Sequence, residues 1–322
     1  MTAREETREA RALRRAEKRK LSPWHNYRKK GFLSLDLMFL PGLLLLLVFS
    51  VLPMYGLVIA FQDFIPAKGV FGSEFVGFQN FIDLAQDPMF GRAMFNTFKI
   101  AFLKIVLGFP IPILFSLLLN EIRVAGLKKG IQTIVYLPNF ISWVIMAGIV
   151  LDLFAKNGGF VNNLLGIVGI DPVEFLGEEG NFVALLIGTD IWKGFGWGSV
   201  IYLATIAGID TTLYEAAVID GAKRWKQTWH ITLPGMRMII VLMMVLSLGN
   251  VLNAGFDQIF NMYSTSVYQT GDIIDTFVYR LGLLDAQYGP ATAVGLFKSV
   301  ISTLFISISY FLAYKLADYR IF

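Results

Sequence analysis

The chain reads as an all-α integral membrane protein of six transmembrane helices, with both termini on the cytoplasmic side. Three observations carry that expectation. Hydrophobic residues make up 55% and charged residues 16% of the chain, whereas soluble domains hold about 45–50% and about 25%. Six stretches reach the ~20 mostly apolar residues that a spanning helix needs. The lysines and arginines outside those stretches fall almost entirely on one side of them, the bias that sets orientation in membranes.

Taken in order, the basic tail over residues 1–33 comes first. It holds Arg4, Arg8, Arg11, Arg14, Arg15, Lys18, Arg19, Lys20, Arg28, Lys29 and Lys30. Arg and Glu at helical spacing with almost no apolar stripe describe a solvated or headgroup-facing helix, not a nucleic-acid reader. A cleavable signal does not fit, because the charged start is too long and the first apolar run has spanning length. The permease-like remainder, 34–322, holds the six spans: 37–61, 94–119, 131–151, 182–208, 238–256 and 291–314. The first, third and fifth contain no charge. Arg123, Lys128 and Lys129 follow the second span, Lys223, Arg224, Lys226 and Arg237 follow the fourth, and Lys315 and Arg320 follow the sixth. The opposite loops carry only Lys68, Arg92, Lys156 and Arg280 among many acids, so that face is net acidic.

The loop over 208–237 is the most informative segment. Glu215-Ala216-Ala217 with the apolar residues after it favours a short helix. Gly221 permits a turn or a close approach. Trp225 and Trp229 stand four apart on one face of a second short helix, and Pro234 suits entry into the next span. Such a helix–turn–helix presents an apolar-aromatic ridge of the kind that docks on a partner. Glu215-Ala216-Ala217, three residues, Gly221, nine residues, Ile231, one residue and Leu233-Pro234 resemble the signature loop of ABC importer permeases. The phenylalanine usual shortly before the isoleucine is absent, and Trp229 stands near its place. Gln62-Asp63-Phe64, Asn120-Glu121-Ile122, 136–143, 270–276 and 292–299 are similar to segments of the carbohydrate-uptake permeases, in the branch for polysaccharides and complex oligosaccharides, and an alginate-type importer is one member this resemblance admits.

That resemblance implies the type I importer permease fold and a division of labour. The loop, through Glu215, Ala216, Ala217, Asp220, Gly221, Trp225, Ile231, Leu233 and Pro234, would sit in a cleft of a separate ATPase subunit. The partners would be a sister permease in a heterodimer, two ATP-binding-cassette subunits and an external solute-binding protein, with an oligosaccharide as cargo. ATP and Mg would be held by the ATPase subunits and no cofactor by this chain, which has no Gly-x4-Gly-Lys-[Ser/Thr] phosphate loop. Cysteine is absent and His25 and His230 are the only histidines. A thiolate or histidine metal site and a cysteine nucleophile are therefore excluded, and no catalytic residue is expected.

Ionisable and amide groups inside spans usually face a pathway or a partner. Lys104 lies about 15 Å below Met94 along a helix. Asp190 and Lys193, three apart, are expected to neutralise each other. Lys104 and Lys298 would then be surplus positive charge, for which an acidic saccharide is one compensator and a partner's carboxylates another. Asn250 and Asn253 offer amides to sugar hydroxyls or to a neighbouring helix, with Trp192 and Trp197 as stacking faces. Lys99, Asp152 and Lys298 lie near the outer span ends, where snorkelling is an equal alternative. The competing class is an ion-coupled secondary transporter with Asp190 as its ion group, which predicts inverted repeats and broken helices. An intramembrane enzyme is the third, and it lacks a paired nucleophile and base.

Overall fold

The computed structural model describes residues 32–317. Most of the basic tail expected over 1–33, and the last five residues, lie outside them. The chain divides into two compact units, one ending at Val58 and the other beginning at Ile59. Twelve helices are labelled α1–α12 in chain order, and other segments are named by their residues.

In the first unit, α1 (Phe32–Leu46) runs into a π turn, Leu47–Val51, and a tighter 3-10 stretch that starts at Leu52. Pro53 supplies the reason for the irregular winding. Its ring lacks an N–H and crowds the carbonyl four residues earlier, which lies in the π turn. The large side chains of this unit are exposed on every side, as with Phe39 and Leu45, the surface of a helix bathed in hydrocarbon.

In the second unit, a two-residue antiparallel pairing sets Gln62 opposite Phe75 and Asp63 opposite Glu74. It is a small departure from an all-helical chain. The next span is α2 (Pro88–Gly108) followed by α3 (Pro110–Asn120). Asp87 caps α2 by accepting from the Met89 N–H at 2.8 Å, and Pro110 at the first position of α3 marks the joint.

The third expected span, 131–151, is not continuous. Helix α4 (Ala125–Tyr136) tightens into Leu137–Phe140 and then turns by 103° into α5 (Trp143–Leu153). Pro138 breaks the ladder, and Ser142 restarts it from an extended conformation (ψ 155°) as the N-cap of α5.

Helix α6 (Glu179–Ala207) is central and packs against α2, α3 and the later α9. At 29 residues it is about 44 Å long, but Asp190, Lys193 and its glycines dilute its apolar content. Next come α7 (Thr211–Ile219), α8 (Arg224–Gln227) and, after a π turn over Thr228–Thr232, α9 (Leu233–Gly249). The fifth expected span, 238–256, is thus cut short. Residues 250–255 leave the helix, and α10 (Phe256–Met262) begins anew. Then follow α11 (Ile274–Tyr279), a π turn over Arg280–Leu284 and α12 (Tyr288–Ala317).

Four described helices have the length and apolarity to cross a membrane: Leu35–Phe61, Pro88–Asn120, Arg224–Gly249 and Tyr288–Leu312. The bent pair around Phe140 makes a fifth if it counts as one span. The main core lies between α2, α5, α6 and α10, around Ile100, Met146, Phe182, Leu186 and Ile259. A smaller core of Tyr202, Ile206 and Met236 lies near the end that carries α7 and α8.

Candidate functional site: an exposed helical loop and a polar cavity between helices

The loop is built by local rules. Asp210 caps α7, its carboxylate accepting from the Thr212 N–H at 2.9 Å. That backbone bond, then the Thr212 side chain, holds the Asp210 carboxyl below the usual carboxylate range. The helix closes with the Ala222 N–H on the Ala217 carbonyl at 2.8 Å and the Gly221 N–H on the Val218 carbonyl at 3.0 Å. Gly221 has φ +74°, the left-handed position that ends helices and favours glycine. A Cβ there would meet nothing within 4 Å, so the demand on Gly221 inside this chain is conformational, not spatial.

Two contacts tie the loop down. The Tyr214 hydroxyl meets Thr232 Oγ1 at 3.0 Å, and Arg224 pairs with Glu121 at 2.8 Å. What remains is a ridge of bare apolar surface. Ile219 is 86% and Trp225 73% exposed, beside Val218, Leu213 and Trp229. The Trp225 and Trp229 rings stack at 6.2 Å, as their spacing of four predicts. Glu215, Ala216 and Asp220 lie exposed on or beside α7, with Ala217 half-buried, whereas Ile231 and Leu233 are half-buried at the root of α9 and Pro234 is exposed.

The second arrangement lies among the helices. A cavity of about 480 Å³ is lined by Lys104, Asp190, Tyr202, Ser247, Asn250 and Asn253, among others. Its neighbour, of about 850 Å³, shares Asn250 and Asn253 and adds Asp275, Tyr279 and Lys298. Four expected pathway residues therefore converge on one cavity, and Lys298 joins through the second.

Trp192 does not join them. It lines a separate apolar cavity of about 590 Å³ with Phe154, Phe160 and Phe175, because its position on α6 turns it away from Asp190. Trp197 packs edge-on against Phe140 at 5.8 Å. Lys193 also stands apart. Its ammonium donates to the carbonyls of Pro138, Asn139 and Ile141 at 3.2, 3.0 and 2.7 Å, closing the backbone groups that the break between α4 and α5 leaves open.

The expected Asp190–Lys193 pair is thus corrected. Asp190 Oδ1 accepts from Lys104 Nζ at 3.1 Å, and Lys298 pairs with Asp275. Both supposedly surplus lysines have carboxylate partners within the chain, so the charge-surplus argument for an acidic cargo fails. Lys104 also donates to the Ala254 carbonyl at 2.8 Å and to Gln258 Oε1. Gln258, fully buried, donates onward to the Leu186 carbonyl at 2.7 Å and Thr189 Oγ1 at 2.8 Å. Lys104 thereby joins α2, α6 and α10 at the unwound stretch.

Residues 105–318 match the family described as binding-protein-dependent transport system inner membrane component. This chain belongs to that family. Its members are transport permeases, not enzymes, and components of the inner membrane. The permease is 41% identical over 288 residues to the polygalacturonan/rhamnogalacturonan transport system permease protein YteP of Bacillus subtilis, with 89% of this chain and 90% of that one covered. It is 41% identical over 281 residues to Protein LplB of the same organism, covering 87% and 88%. Among solved structures it is similar to a chain of a bacterial alginate ABC transporter in complex with an alginate pentasaccharide-bound periplasmic protein. There the identity is 38%, the TM-score 0.84, and the coverage 91% of this chain and 98% of that one. The permease fold is accordingly the type I importer fold, predominantly helical.

Gln258 and Asp275 are the groups that sequence reasoning missed. Asp275 counted only as loop acidity, and Gln258 followed an apolar run with no local partner in view. A signal for Gln258 existed: an amide among Phe256, Ile259 and Phe260 on a short apolar helix needs a buried acceptor or donor.

Proposed function

We propose that this permease is one of two membrane subunits of an ABC importer that takes up acidic oligo- or polysaccharides. The observation that carries the reading is its similarity, over nine-tenths of its length, to a chain of the alginate transporter; the pectin-type relative supports the same substrate class. A sister permease completes the pathway, two ATPase subunits bind ATP and Mg, and a solute-binding protein delivers the cargo. The permease itself needs no cofactor.

Helix α6 supplies the remaining membrane crossing, giving six spans, with the basic tail of 1–33, the 208–237 loop and the C-terminus in the bacterial cytoplasm. The lysine and arginine bias supports that orientation. Glu215, Ala216, Ala217, Asp220, Gly221, Trp225, Ile231, Leu233 and Pro234 form the coupling surface. The bare ridge of α7 and α8 supports this, since an exposed aromatic cluster with locally fixed geometry is the anchor a partner's cleft requires. Lys104, Asp190, Asn250, Asn253 and Lys298 belong to the pathway wall. Copurification tests the assembly. Tagged permease from native membranes is expected to bring a second permease and an ATPase, and its recovery without either would refute the reading.

A further inference from the structure

The cavity at Lys104 does not offer what its lysine implies. An ammonium has three N–H donors, and all three of Lys104's are taken: by Asp190 Oδ1, the Ala254 carbonyl and Gln258 Oε1. Its side chain is 8% exposed, against 38% for Asp190. Gly255 enforces the arrangement. It sits at φ +95°, and a Cβ there would lie 3.0 Å from Lys104 Nζ. Lys104 is held, and it has nothing left to give a ligand.

Asp190 is the opposite case. One carboxylate oxygen is bound, while among the described residues Oδ2 accepts no hydrogen bond. The nearby asparagines differ from it in carrying donors as well as acceptors: Asn250 donates one of its two amide N–H groups to the Leu246 carbonyl at 3.2 Å and keeps its oxygen free, and Asn253 is exposed on the same wall. The free carboxylate oxygen of Asp190 binds donors. A saccharide hydroxyl is a donor; a uronate carboxylate is not.

We propose that Asp190 Oδ2 is a hydroxyl-binding acceptor for the sugar ring, with Lys104 as the positioning residue that orients the carboxylate. At Asp190 the pocket therefore reads a hydroxyl of the cargo and not its acidic groups. This rests on the saccharide-importer reading and adds the chemistry of one subsite to it.

The test uses the complete transporter in proteoliposomes, with saturating binding protein loaded either with a uronic-acid pentasaccharide or with its carboxyl-reduced form. Asp190→Asn keeps the acceptor for Lys104 and removes the charge. A charge-assisted hydrogen bond contributes enough that its loss is expected to slow uptake about tenfold, and equally for both saccharides. Asp190→Glu, which keeps the carboxylate, is expected to recover most of the rate. Unchanged uptake in Asp190→Asn overturns the proposal. So does a change confined to the acidic form, whichever its sign, because Asp190 would then act on carboxylates. If neither variant assembles, Asp190 is a structural counter-ion and the proposal falls. Absence of saccharide uptake by the unaltered transporter would instead refute the importer reading beneath it.

Discussion

Lys104 and Asp190 lie 86 residues apart, and each has a nearer charged neighbour or an equally plausible distant one. Helical spacing put Lys193 beside Asp190, but a side chain three positions away on the same helix competes with whatever the adjacent helix presents. Packing of α2 on α6 decided for Lys104. Lys193 went to the carbonyls of the broken third span, a sink that exists only because Pro138 stops the helix there. Removing one partner of such a pair leaves the other uncompensated, at about 3–5 kcal/mol when fully buried. With Asp190 38% exposed, solvent screening reduces this, and Lys104→Met is expected to cost about 2 kcal/mol. Thermal unfolding of the detergent-solubilised complex checks it; an unchanged midpoint would show that the contacts to Asp190, Ala254 and Gln258 contribute no stability.

At the scale of elements, the short helices of the 208–237 loop were legible almost residue by residue. Their signals are local: a Glu-Ala-Ala start, a glycine that permits the turn and two tryptophans one turn apart. The breaks at 138–142 and 250–255 were harder. Their prolines and glycines stood in plain view inside apolar runs that hydropathy alone makes continuous, and which cue wins depends on whether the freed carbonyls find donors elsewhere. Lys193 and Lys104 provide those donors.

Two expectations belong to the loop. Gly221→Val places a β-branched residue at φ +74°, at about 1–2 kcal/mol of backbone strain, and puts bulk on the exposed surface. Loss of binding-protein-stimulated ATP hydrolysis, or of the ATPase from the complex, is expected, and normal stimulation would remove Gly221 from the coupling surface. The Asp210 cap adds a pH dependence. Because its carboxyl is held below the usual range, its contribution is complete above the ordinary carboxylate value and is lost only as pH falls through the lowered one. Coupling that fades on acidification between pH 7 and 5 cannot therefore originate at Asp210, and Asp210→Asn is expected to leave any such profile unmoved.

For the whole molecule, topology and cargo are the open quantities. Charge counting and hydropathy both act at this scale; they predict six crossings, and four described helices, or five with the bent pair, have the length and apolarity for one, while α6 carries Asp190 and Lys193 in its middle. Five lining residues were readable as polar groups inside spans, but not their grouping, since each cavity draws lining from three or more separated helices. Accessibility tags at Lys128 and at the C-terminus are expected to react only from the cytoplasm, and one at Gly158 only from outside. A tag on the wrong side would break the six-span arrangement at an identifiable helix.

Uptake by the reconstituted transporter tests the central reading most directly. Proteoliposomes holding this permease, its sister subunit and the ATPases are given loaded binding protein outside and ATP inside. A uronic-acid oligosaccharide is expected to accumulate in the lumen with ATP and not with a non-hydrolysable analogue. Accumulation driven by an ion gradient without ATP, or no saccharide accumulation while ATP is hydrolysed, would contradict it.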